Sequence, residues 1–254
     1  MPERFFTDSI LEPKIFAPFS NLVAAQSTRH GGVSEPPYET LNLGMTVGDA
    51  RDKVLQNRKI FCHRLSISPE RLAFSSQVHG ETVLFATQPG SYEGFDALVT
   101  NRKNIFLMIS IADCVPILIY DAQHQAAAAI HAGWRGTAAN LVFKTLKMMQ
   151  SLFGTDPTHC FAFIGVAIDK ENYQVGEDVA KHFSAAFKQV DVSADGKFLL
   201  DLRAANAAQL GDFGIDRSQI EISPYSTYSH HRDFFSHRFS GGKTGRMMAI
   251  IGMR

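Results

Sequence analysis

The sequence predicts a layered fold of the α/β or α+β class, and three observations support this prediction. The chain has 254 residues, of which 45% are hydrophobic and 20% are charged. A chain of this size and composition can fold around a hydrophobic core without disulfide bonds or structural metal ions. Short apolar runs rich in Ile, Val and Leu alternate with segments of helical periodicity. No repeat, low-complexity segment or linker interrupts the alternation, so we expect one domain over residues 1–254.

The apolar runs of the first half are predicted to be strands, because each is short and bounded by turn-forming residues. They are Leu22–Ser27, Leu72–Ser76, Thr82–Phe85, Ile105–Ile111, Val115–Tyr120 and Ala126–Ile130. Asp49 is the predicted N-cap of a helix that ends near Leu65. Residues 133–136 are predicted to be a loop, and a helix with an inner apolar stripe follows from about Thr137 to Leu152.

The second half continues the same alternation of strands and helices. Strands are predicted at Phe161–Val166, Ile220–Ile222 and Met247–Ile251. Helices are predicted at Val179–Phe187 and Ala204–Leu210. Strands mixed with helices along the whole chain favour sheets covered by helices.

Charge and cysteine content exclude several classes of protein. The chain has 25 basic and 25 acidic residues, without the basic excess that is typical of duplex-binding proteins. Three cysteines, Cys62, Cys114 and Cys160, do not form a disulfide pattern. The first residues lack the apolar core of a signal peptide, and no apolar run reaches membrane-spanning length. We therefore expect a cytoplasmic protein without nucleic-acid or membrane partners, as a monomer or weak dimer.

Three residues with metal-binding side chains lie at or just after the ends of predicted strands. They are His79, Cys114 and His131, each next to small or turn-forming residues. Strand ends converge in space although they are far apart in the sequence. Two imidazoles and one thiolate suit zinc or copper, and three protein ligands leave a fourth position for water or substrate. This pattern is typical of a catalytic zinc site.

The same residues have structural interpretations, which spacing leaves open. A histidine after a strand is often a surface or hydrogen-bonded residue. Cys114, between two apolar runs, also fits a small buried hydrophobic residue. The intervals between the three are long and irregular, unlike the close spacing of common zinc motifs.

Basic residues near glycine-rich or polar turns are candidates for binding phosphate, because guanidinium groups pair with oxyanions. Arg29, Arg58 and Arg135 are the predicted phosphate-binding residues, and Lys243 and Arg246 are further candidates. Glycines flank the motifs of Arg29 and Arg135, so backbone amides could assist them. Each of these residues also fits a solvated or ion-paired arginine or lysine.

Three further residues are candidates for roles in the same site. Asp113 precedes the cysteine and could orient a ligand histidine, carry a proton or cap a turn. Gln77 could donate a hydrogen bond into the site. Trp134, the only tryptophan, suits either a pocket wall or core packing.

Eight ordered blocks of sequence resemble the YfiH family, also called the laccase-domain or multicopper polyphenol oxidase family, over nearly the whole chain. They are STRHGGVSEPPYETLNLG (27–44), SSQVHG (75–80), DALVTN (96–101), ADCVPILIYD (112–121), IHAGWRGTA (130–138), YQVGEDV (173–179), LDLRAANAAQL (200–210) and TGRMMAIIGM (244–253).

The resemblance implies a fold, a metal site and an activity. The expected fold is a four-layer αββα sandwich similar to the catalytic domain of cytotoxic necrotizing factor. The family's metal ligands fall on His79, Cys114 and His131. The implied activity is zinc-dependent phosphorolysis of the purine nucleosides adenosine, inosine and methylthioadenosine, with adenosine deamination as a side activity. Purine nucleoside and phosphate are therefore the expected ligands, and an older family label implies copper.

The chain departs from the family pattern in its C-terminal part. A Gly-Pro-Ala-Ile block is Gly165-Val166-Ala167-Ile168, and a Cys-Thr-Tyr block is Ser226-Thr227-Tyr228. The usual Phe-Phe-Ser-Tyr-Arg-Arg is replaced by residues 234–239, FFSHRF. The metal trio is intact, so the departures concern the substrate rather than the chemistry.

The expected function is a zinc-dependent purine nucleoside phosphorylase, with catalytic roles for Cys114, Asp113 and Gln77. Three other functions remain open. A copper-dependent polyphenol oxidase would need more ligands than one His/Cys/His set. A cysteine-type amidohydrolase acting on peptidoglycan precursors would use Cys114 as a nucleophile activated by His131. A non-catalytic nucleoside-binding protein would use the same pocket without turnover.

Overall fold

The computed structural model describes residues 10–254. All nine apolar runs predicted as strands are strands in the structure, with ends that differ by at most two residues. The strands are β1 (Ile10–Leu11), β2 (Leu22–Ser27), β3 (Leu72–Ser76), β4 (Val83–Phe85), β5 (Gly90–Glu93), β6 (Ala97–Thr100), β7 (Phe106–Ile111), β8 (Val115–Asp121), β9 (Ala126–Ala132), β10 (Cys160–Ile164), β11 (Gln174–Gly176), β12 (Lys188–Val190), β13 (Lys197–Leu200), β14 (Ile220–Ile222) and β15 (Met247–Met253). The helices are α1 (Arg51–Arg64), α2 (Trp134–Ala138), α3 (Leu141–Phe153), α4 (Glu177–Ala180) and α5 (Leu202–Phe213).

The strands form two six-stranded sheets and one three-stranded sheet. The first large sheet has the order β1-β2-β15-β7-β3-β5, and the second has the order β14-β10-β8-β9-β6-β4. The small sheet has the order β11-β13-β12. The longest apolar strands, β8, β9 and β15, are buried along their whole length and lie inside the large sheets, as continuous apolar runs require.

The two large sheets pack face to face and are covered by helices on their outer faces. Leu107 and Ile251 of the first sheet contribute to the same buried cluster as Leu118 of the second. Phe61 of α1 packs in the cluster on the outer face of the first sheet. Leu146 of α3 packs in the cluster on the outer face of the second, which α5 also covers. The order of layers is therefore αββα, which confirms the predicted fold class.

The helix predicted from Thr137 to Leu152 is interrupted. Asn140 adopts a left-handed backbone conformation with a φ of 59°, so α2 ends before it and α3 begins after it. The loop predicted at residues 133–136 is wrong from Trp134 onward, because α2 already begins there. Helical periodicity marked the buried face of this region, but did not indicate the change of direction at Asn140.

Two other local predictions are wrong. Asp49 does not cap α1, because its carboxylate accepts hydrogen bonds from Ser34 Oγ (2.6 Å) and Asn42 Nδ2 (2.9 Å). The helix predicted at Val179–Phe187 is limited to the short α4, and the chain then turns into β12 of the small sheet. Pairing with a neighbouring strand outweighed the local helical pattern there. No helix within residues 10–254 is long and apolar enough to cross a membrane.

Candidate active site

The predicted metal trio lies where the chain crosses from one large sheet to the other. His79 lies in the connection from β3 of the first sheet to β4 of the second, and Cys114 lies in the connection from β7 to β8. His131 is in β9, where it pairs with Pro116 of β8, so Cys114, the residue before β8, lies beside it. The donor atoms of the three side chains all lie within 4.8 Å of one another.

The three side chains differ in exposure, which leaves the cluster open on one side. His131 is 3% exposed, Cys114 is half-buried and His79 is exposed. The two imidazole rings meet edge to face, with centroids 4.9 Å apart. A further ligand could therefore approach from the side of His79, as a site with an open coordination position requires.

Asp96 connects both histidines, and the sequence analysis did not assign it a role. Its Oδ1 lies 2.8 Å from His131 Nδ1, and its main-chain oxygen accepts a hydrogen bond from the His131 amide. The carboxylate also accepts hydrogen bonds from the backbone amides of Val78, His79 and Gly80, at 3.2, 3.0 and 2.7 Å. An ionised carboxylate can only accept, so Nδ1 of His131 carries the hydrogen and Nε2 faces the cluster.

Backbone geometry explains two glycines of the HAGWRG segment. A Cβ at Gly133 would lie 3.2 Å from Cys114 Sγ and 3.3 Å from His79 Cδ2, so a larger residue would crowd the cluster. A Cβ at Gly136 would lie 3.0 Å from the backbone oxygen of Gly80. These close approaches let the start of α2 pack directly against the His79 turn.

Electrostatics in the trio favour a thiolate beside a protonated imidazole. Burial opposes ionisation of Cys114, but attraction to His131 and hydrogen bonds from both histidines outweigh it and lower the pKa of the thiol. Burial likewise opposes protonation of His131, but Cys114 and Asp96 outweigh it and raise the pKa of the imidazole. Deprotonated sulfur is the form that binds metal.

The donor set and its spacing fit a single small metal ion. Donors 2.0–2.3 Å from a tetrahedral zinc ion lie roughly 3.5 Å apart, which modest side-chain movement reaches from the observed cluster. Within residues 10–254, this is the one group of three or more His, Cys, Asp or Glu residues close enough to hold a metal. Zinc and copper both accept two imidazoles and a thiolate.

The trio opens into a cavity of about 880 Å³, a size typical of ligand pockets. The aromatic residues Trp134, Tyr173 and Phe74 line it together with several methionines. The lining includes one carboxylate, that of Asp113, and five arginines: Arg51, Arg58, Arg135, Arg238 and Arg246. The cavity is therefore basic although the whole chain has a formal net charge of zero, which favours an anionic ligand.

Asp113 and Gln77 both line the cavity, but their side chains are held by the protein. Oδ1 of Asp113 accepts a hydrogen bond from Thr227 Oγ1 at 2.5 Å, and Oδ2 accepts one from the Arg238 amide at 2.6 Å. Gln77 exchanges two hydrogen bonds with the backbone of Ser110, at 2.7 and 2.8 Å. Asp113 therefore holds the loop that contains Thr227 and Arg238 beside Cys114. Gln77 holds the turn that contains His79 against β7.

The three predicted phosphate-binding arginines occupy different environments. Arg29 is not among the cavity residues. Its guanidinium donates hydrogen bonds to the backbone oxygens of Glu39 and His231 and packs over the Phe235 ring. Arg58 and Arg135 both line the cavity. Arg135 is exposed and lies over the Trp134 ring, 4.4 Å from its centroid.

Of the other candidate residues, some line the cavity and some lie outside it. Trp134 serves both suggested roles, since it packs against the core and lines the cavity. Arg246 lines the cavity, whereas the exposed Lys243 does not. Among the positions that depart from the family pattern, Val166 and Ser226 are buried outside the cavity lining, and His237 lines it.

Comparisons with known proteins match almost the whole chain. The family described as multi-copper polyphenol oxidoreductase laccase matches residues 23–254. A Bacteroides thetaiotaomicron protein named purine nucleoside phosphorylase is 39% identical over 248 residues, covering 92% of this chain and 92% of the relative. A Deinococcus radiodurans protein of the same name is 39% identical over 242 residues, covering 95% and 93%.

Two solved structures are similar in both sequence and fold. YlmD from Geobacillus stearothermophilus has a TM-score of 0.92 and 32% identity, covering 98% of this chain and 97% of that one. The Bacillus licheniformis hypothetical protein YfiH has a TM-score of 0.91 and 32% identity, covering 97% of each chain. These matches confirm the family resemblance of the ordered sequence blocks.

Proposed function

The chain belongs to the multi-copper polyphenol oxidoreductase laccase family, and we propose that it is a purine nucleoside phosphorylase that uses one zinc ion. The observation that carries the proposal is a His/Cys/His cluster opening into a basic cavity with aromatic walls. The relatives named purine nucleoside phosphorylase support the reaction class. A cavity of about 880 Å³ has room for a nucleoside and a phosphate ion together.

His79, Cys114 and His131 would hold the ion, with Asp96 orienting His131. When bound, zinc supplies Lewis acidity that stabilises negative charge at one point of the cavity wall. A laccase-type oxidase needs several copper ions, and residues 10–254 contain one cluster of suitable ligands. Elemental analysis of protein purified without added metal should find about one zinc per chain. Several copper ions per chain with substrate-dependent oxygen uptake would instead identify an oxidase.

The proposed reaction transfers ribose from a purine to phosphate. A phosphate oxygen forms a bond to C1′ of the ribose, and the C1′–N9 bond to the purine breaks. The base leaves with the bonding electron pair and takes up one proton, so the products are free purine and ribose 1-phosphate. Positive charge develops on the sugar and negative charge on the base, and fixed charges around the cavity can stabilise both.

The purine ring would bind in the space between the metal cluster and the side chains of Trp134 and Tyr173. Both are half-buried cavity residues, and aromatic rings stack well on bases. Burial raises the pKa of the Tyr173 phenol, with a further contribution from Cys114. Tyr173 therefore stays protonated and can donate a hydrogen bond to the bound nucleoside.

The proposal extends to adenosine, inosine and methylthioadenosine as substrates and to deamination of adenosine as a side activity. In deamination, water replaces the amino group at C6 of the purine and ammonia leaves.

Asp113, as a proton carrier, would first have to release the hydrogen bond from Thr227 or from the Arg238 amide. Asp113→Asn should therefore reduce deamination and phosphorolysis in parallel if the residue acts by fastening the loop, and deamination selectively if it carries a proton.

Product analysis with and without phosphate tests the reaction class directly. The protein is incubated with each of the three nucleosides, and bases, sugars and deaminated nucleosides are separated by chromatography. Phosphorolysis requires that base release depends on phosphate and that a sugar 1-phosphate appears in equal amount. This product is ribose 1-phosphate from adenosine and inosine, and 5-methylthioribose 1-phosphate from methylthioadenosine. Base release that is equally fast without phosphate would identify a hydrolase and contradict the proposal.

A second candidate is a hydrolase with Cys114 as its nucleophile. The donor atoms of Cys114 and His131 lie within 4.8 Å of each other, and Asp96 orients His131, as in the nucleophile, base and carboxylate of cysteine hydrolases. In metal-free protein, the rate at which Cys114 reacts with iodoacetamide should rise with pH. This rate should reach half of its maximum well below about pH 8.5, the ordinary thiol pKa. The reason is that the neighbouring imidazoles lower its pKa, so the thiolate fraction rises earlier with pH.

The other two cysteines provide an internal control for this labelling. Burial raises the pKa of Cys62 to about 11 and that of Cys160 to about 12, so both should stay unlabelled at neutral pH. Protection of Cys114 by stoichiometric zinc favours the metal-ligand role. Labelling of the protein as purified that is fast and unaffected by a chelator favours the nucleophile instead.

A further inference from the structure

We infer that Arg58 and Arg246 together form the phosphate subsite of the cavity, with inorganic phosphate dianion as the ligand. This inference rests on the proposed phosphorolysis. It replaces the broader set of arginines suggested by the sequence, from which the structure removes Arg29 by placing it outside the cavity. Arg58 and Arg246 come from opposite parts of the chain, α1 and the residue before β15.

One short segment, residues 42–44, brings the two arginines together. Arg58 Nε donates a hydrogen bond to the Leu43 oxygen at 3.0 Å, and the Leu43 amide donates to the Arg246 oxygen at 3.0 Å. The Arg246 amide donates to Asn42 Oδ1 at 2.8 Å, and a Cβ at Gly44 would lie 2.7 Å from Arg246 Cγ. Both arginines are therefore held against the same backbone segment.

Both guanidinium groups keep donors available towards the cavity. Within residues 10–254, the hydrogen bonds of the Arg58 side chain are limited to the one from Nε, and those of Arg246 all come from Nη1. The Arg58 guanidinium also lies over the Phe74 ring, with Cζ 4.9 Å from the ring centroid. Two planar, positioned guanidinium groups with free terminal nitrogens match the oxygens of a phosphate ion.

Neither arginine has a carboxylate partner among the described residues. No ion pair joins Arg58 or Arg246 to an acidic side chain, whereas Arg29 pairs with Glu39 at 3.3 Å. Both cavity arginines are half-buried, and burial lowers the pKa of each guanidinium. A desolvated positive charge without a paired carboxylate is costly, and a bound anion reduces that cost.

The surroundings of the pair add a further positive charge, and the attraction of Arg246 to Cys114 and Asp113 does not outweigh the effect of its burial. Arg51, Leu55 and Arg58 follow one another at helical spacing on the face of α1 that lines the cavity. The one carboxylate in the lining, Asp113, has both oxygens engaged in hydrogen bonds. A phosphate ion at this end of the cavity would share its walls with the metal cluster, as attack on a nucleoside bound there requires.

The test uses Arg58→Gln and Arg246→Gln, with Arg102→Gln as the matched control. Arg102 is an exposed arginine outside the cavity lining, so its replacement removes the same charge from the surface. Each cavity variant should raise KM for phosphate by about 10- to 100-fold, the loss expected for a charge-assisted hydrogen bond. KM for the nucleoside should stay within about twofold. Calorimetric titration with inorganic phosphate, without nucleoside, should show the same loss of affinity.

The outcomes separate the subsite from the reaction. Weaker phosphate binding in both cavity variants, with base release that never depends on phosphate, supports the oxyanion subsite and contradicts the phosphorylase proposal. Phosphate-dependent base release, with a KM for phosphate that changes no more than in Arg102→Gln, overturns the subsite. Arg58→Lys and Arg246→Lys serve if the glutamine variants do not fold, because they keep the charge but lose the paired donors and should raise KM in the same direction.

Discussion

Replacement of His131 by alanine is expected to reduce phosphate-dependent release of adenine from adenosine by about 10³-fold or more. His131 is the most buried member of the trio, and its Nε2 is directed at the cluster by the bond between Nδ1 and Asp96. Losing it leaves two of three ligands. Lewis-acid stabilisation is worth several kcal/mol, and each 1.36 kcal/mol corresponds to a factor of ten in rate. Steady-state kinetics and metal analysis of the same sample check this prediction.

His159→Ala is the control for the loss of an imidazole. His159 is exposed, lies in the turn before β10 and is not among the cavity residues. This variant should keep the metal content and turnover of the unmodified protein. Full activity in His131→Ala, or equal losses in both variants, would contradict the role assigned to the trio.

The second large effect is expected for Asp96→Asn, which should weaken zinc binding by about 10- to 100-fold. Asp96 holds His131 through its ring nitrogen and holds the turn of His79 through three amides, so one carboxylate positions two ligands. Burial opposes its ionisation, but hydrogen bonds from His131 and the turn outweigh this and lower the pKa of Asp96. Competition with a chromophoric chelator measures the affinity independently of turnover.

Asp121→Asn provides a matched control for the loss of a buried carboxylate. Asp121 is fully buried, bonds to His124 Nδ1 at 2.9 Å and accepts two backbone amides, yet it lies outside the cavity lining. Both substitutions should cost about 1–3 kcal/mol of unfolding free energy. The zinc affinity should fall in Asp96→Asn alone. An equal fall in both variants would mean that Asp96 acts on stability and not on ligand position.

The fold was predictable because its central strands are continuous apolar runs. β7, β8, β9 and β15 are buried on both faces, so their composition marks them clearly in the sequence. The short strands β5, β6 and β11 to β13 were missed, because each has three or four residues and depends on its neighbours for pairing. The break at Asn140 was missed because periodicity reports a buried face and not the direction of the axis.

The metal trio was predictable from residue types at strand ends, but the residues that support it were not. Asp96 precedes a four-residue strand and has no recognisable spacing from His79 or His131, since the contact depends on sheet register. Gly133 and Gly136 act through space left for neighbouring atoms. The signal that could have identified Asp96 is a carboxylate directly before an apolar strand, within the reach of two candidate histidines.

The arginines show most clearly what depends on tertiary structure. Arg29 was favoured because glycines follow it, yet its guanidinium is bound by backbone oxygens and Glu39. Arg246 was a minor candidate, yet the 42–44 segment brings it beside Arg58. The sequence identifies an arginine near a turn. Only the three-dimensional arrangement determines whether other groups of the protein already accept the hydrogen bonds of its guanidinium.

Metal removal and reconstitution in phosphate buffer test the one-zinc phosphorylase most directly. Chelator-treated protein is assayed for adenine and ribose 1-phosphate formation from adenosine, and zinc is then added stepwise. We expect no turnover without metal and a linear return of activity that ends at one zinc per chain. Unchanged phosphorolysis by metal-free protein would contradict the central role assigned to His79, Cys114 and His131.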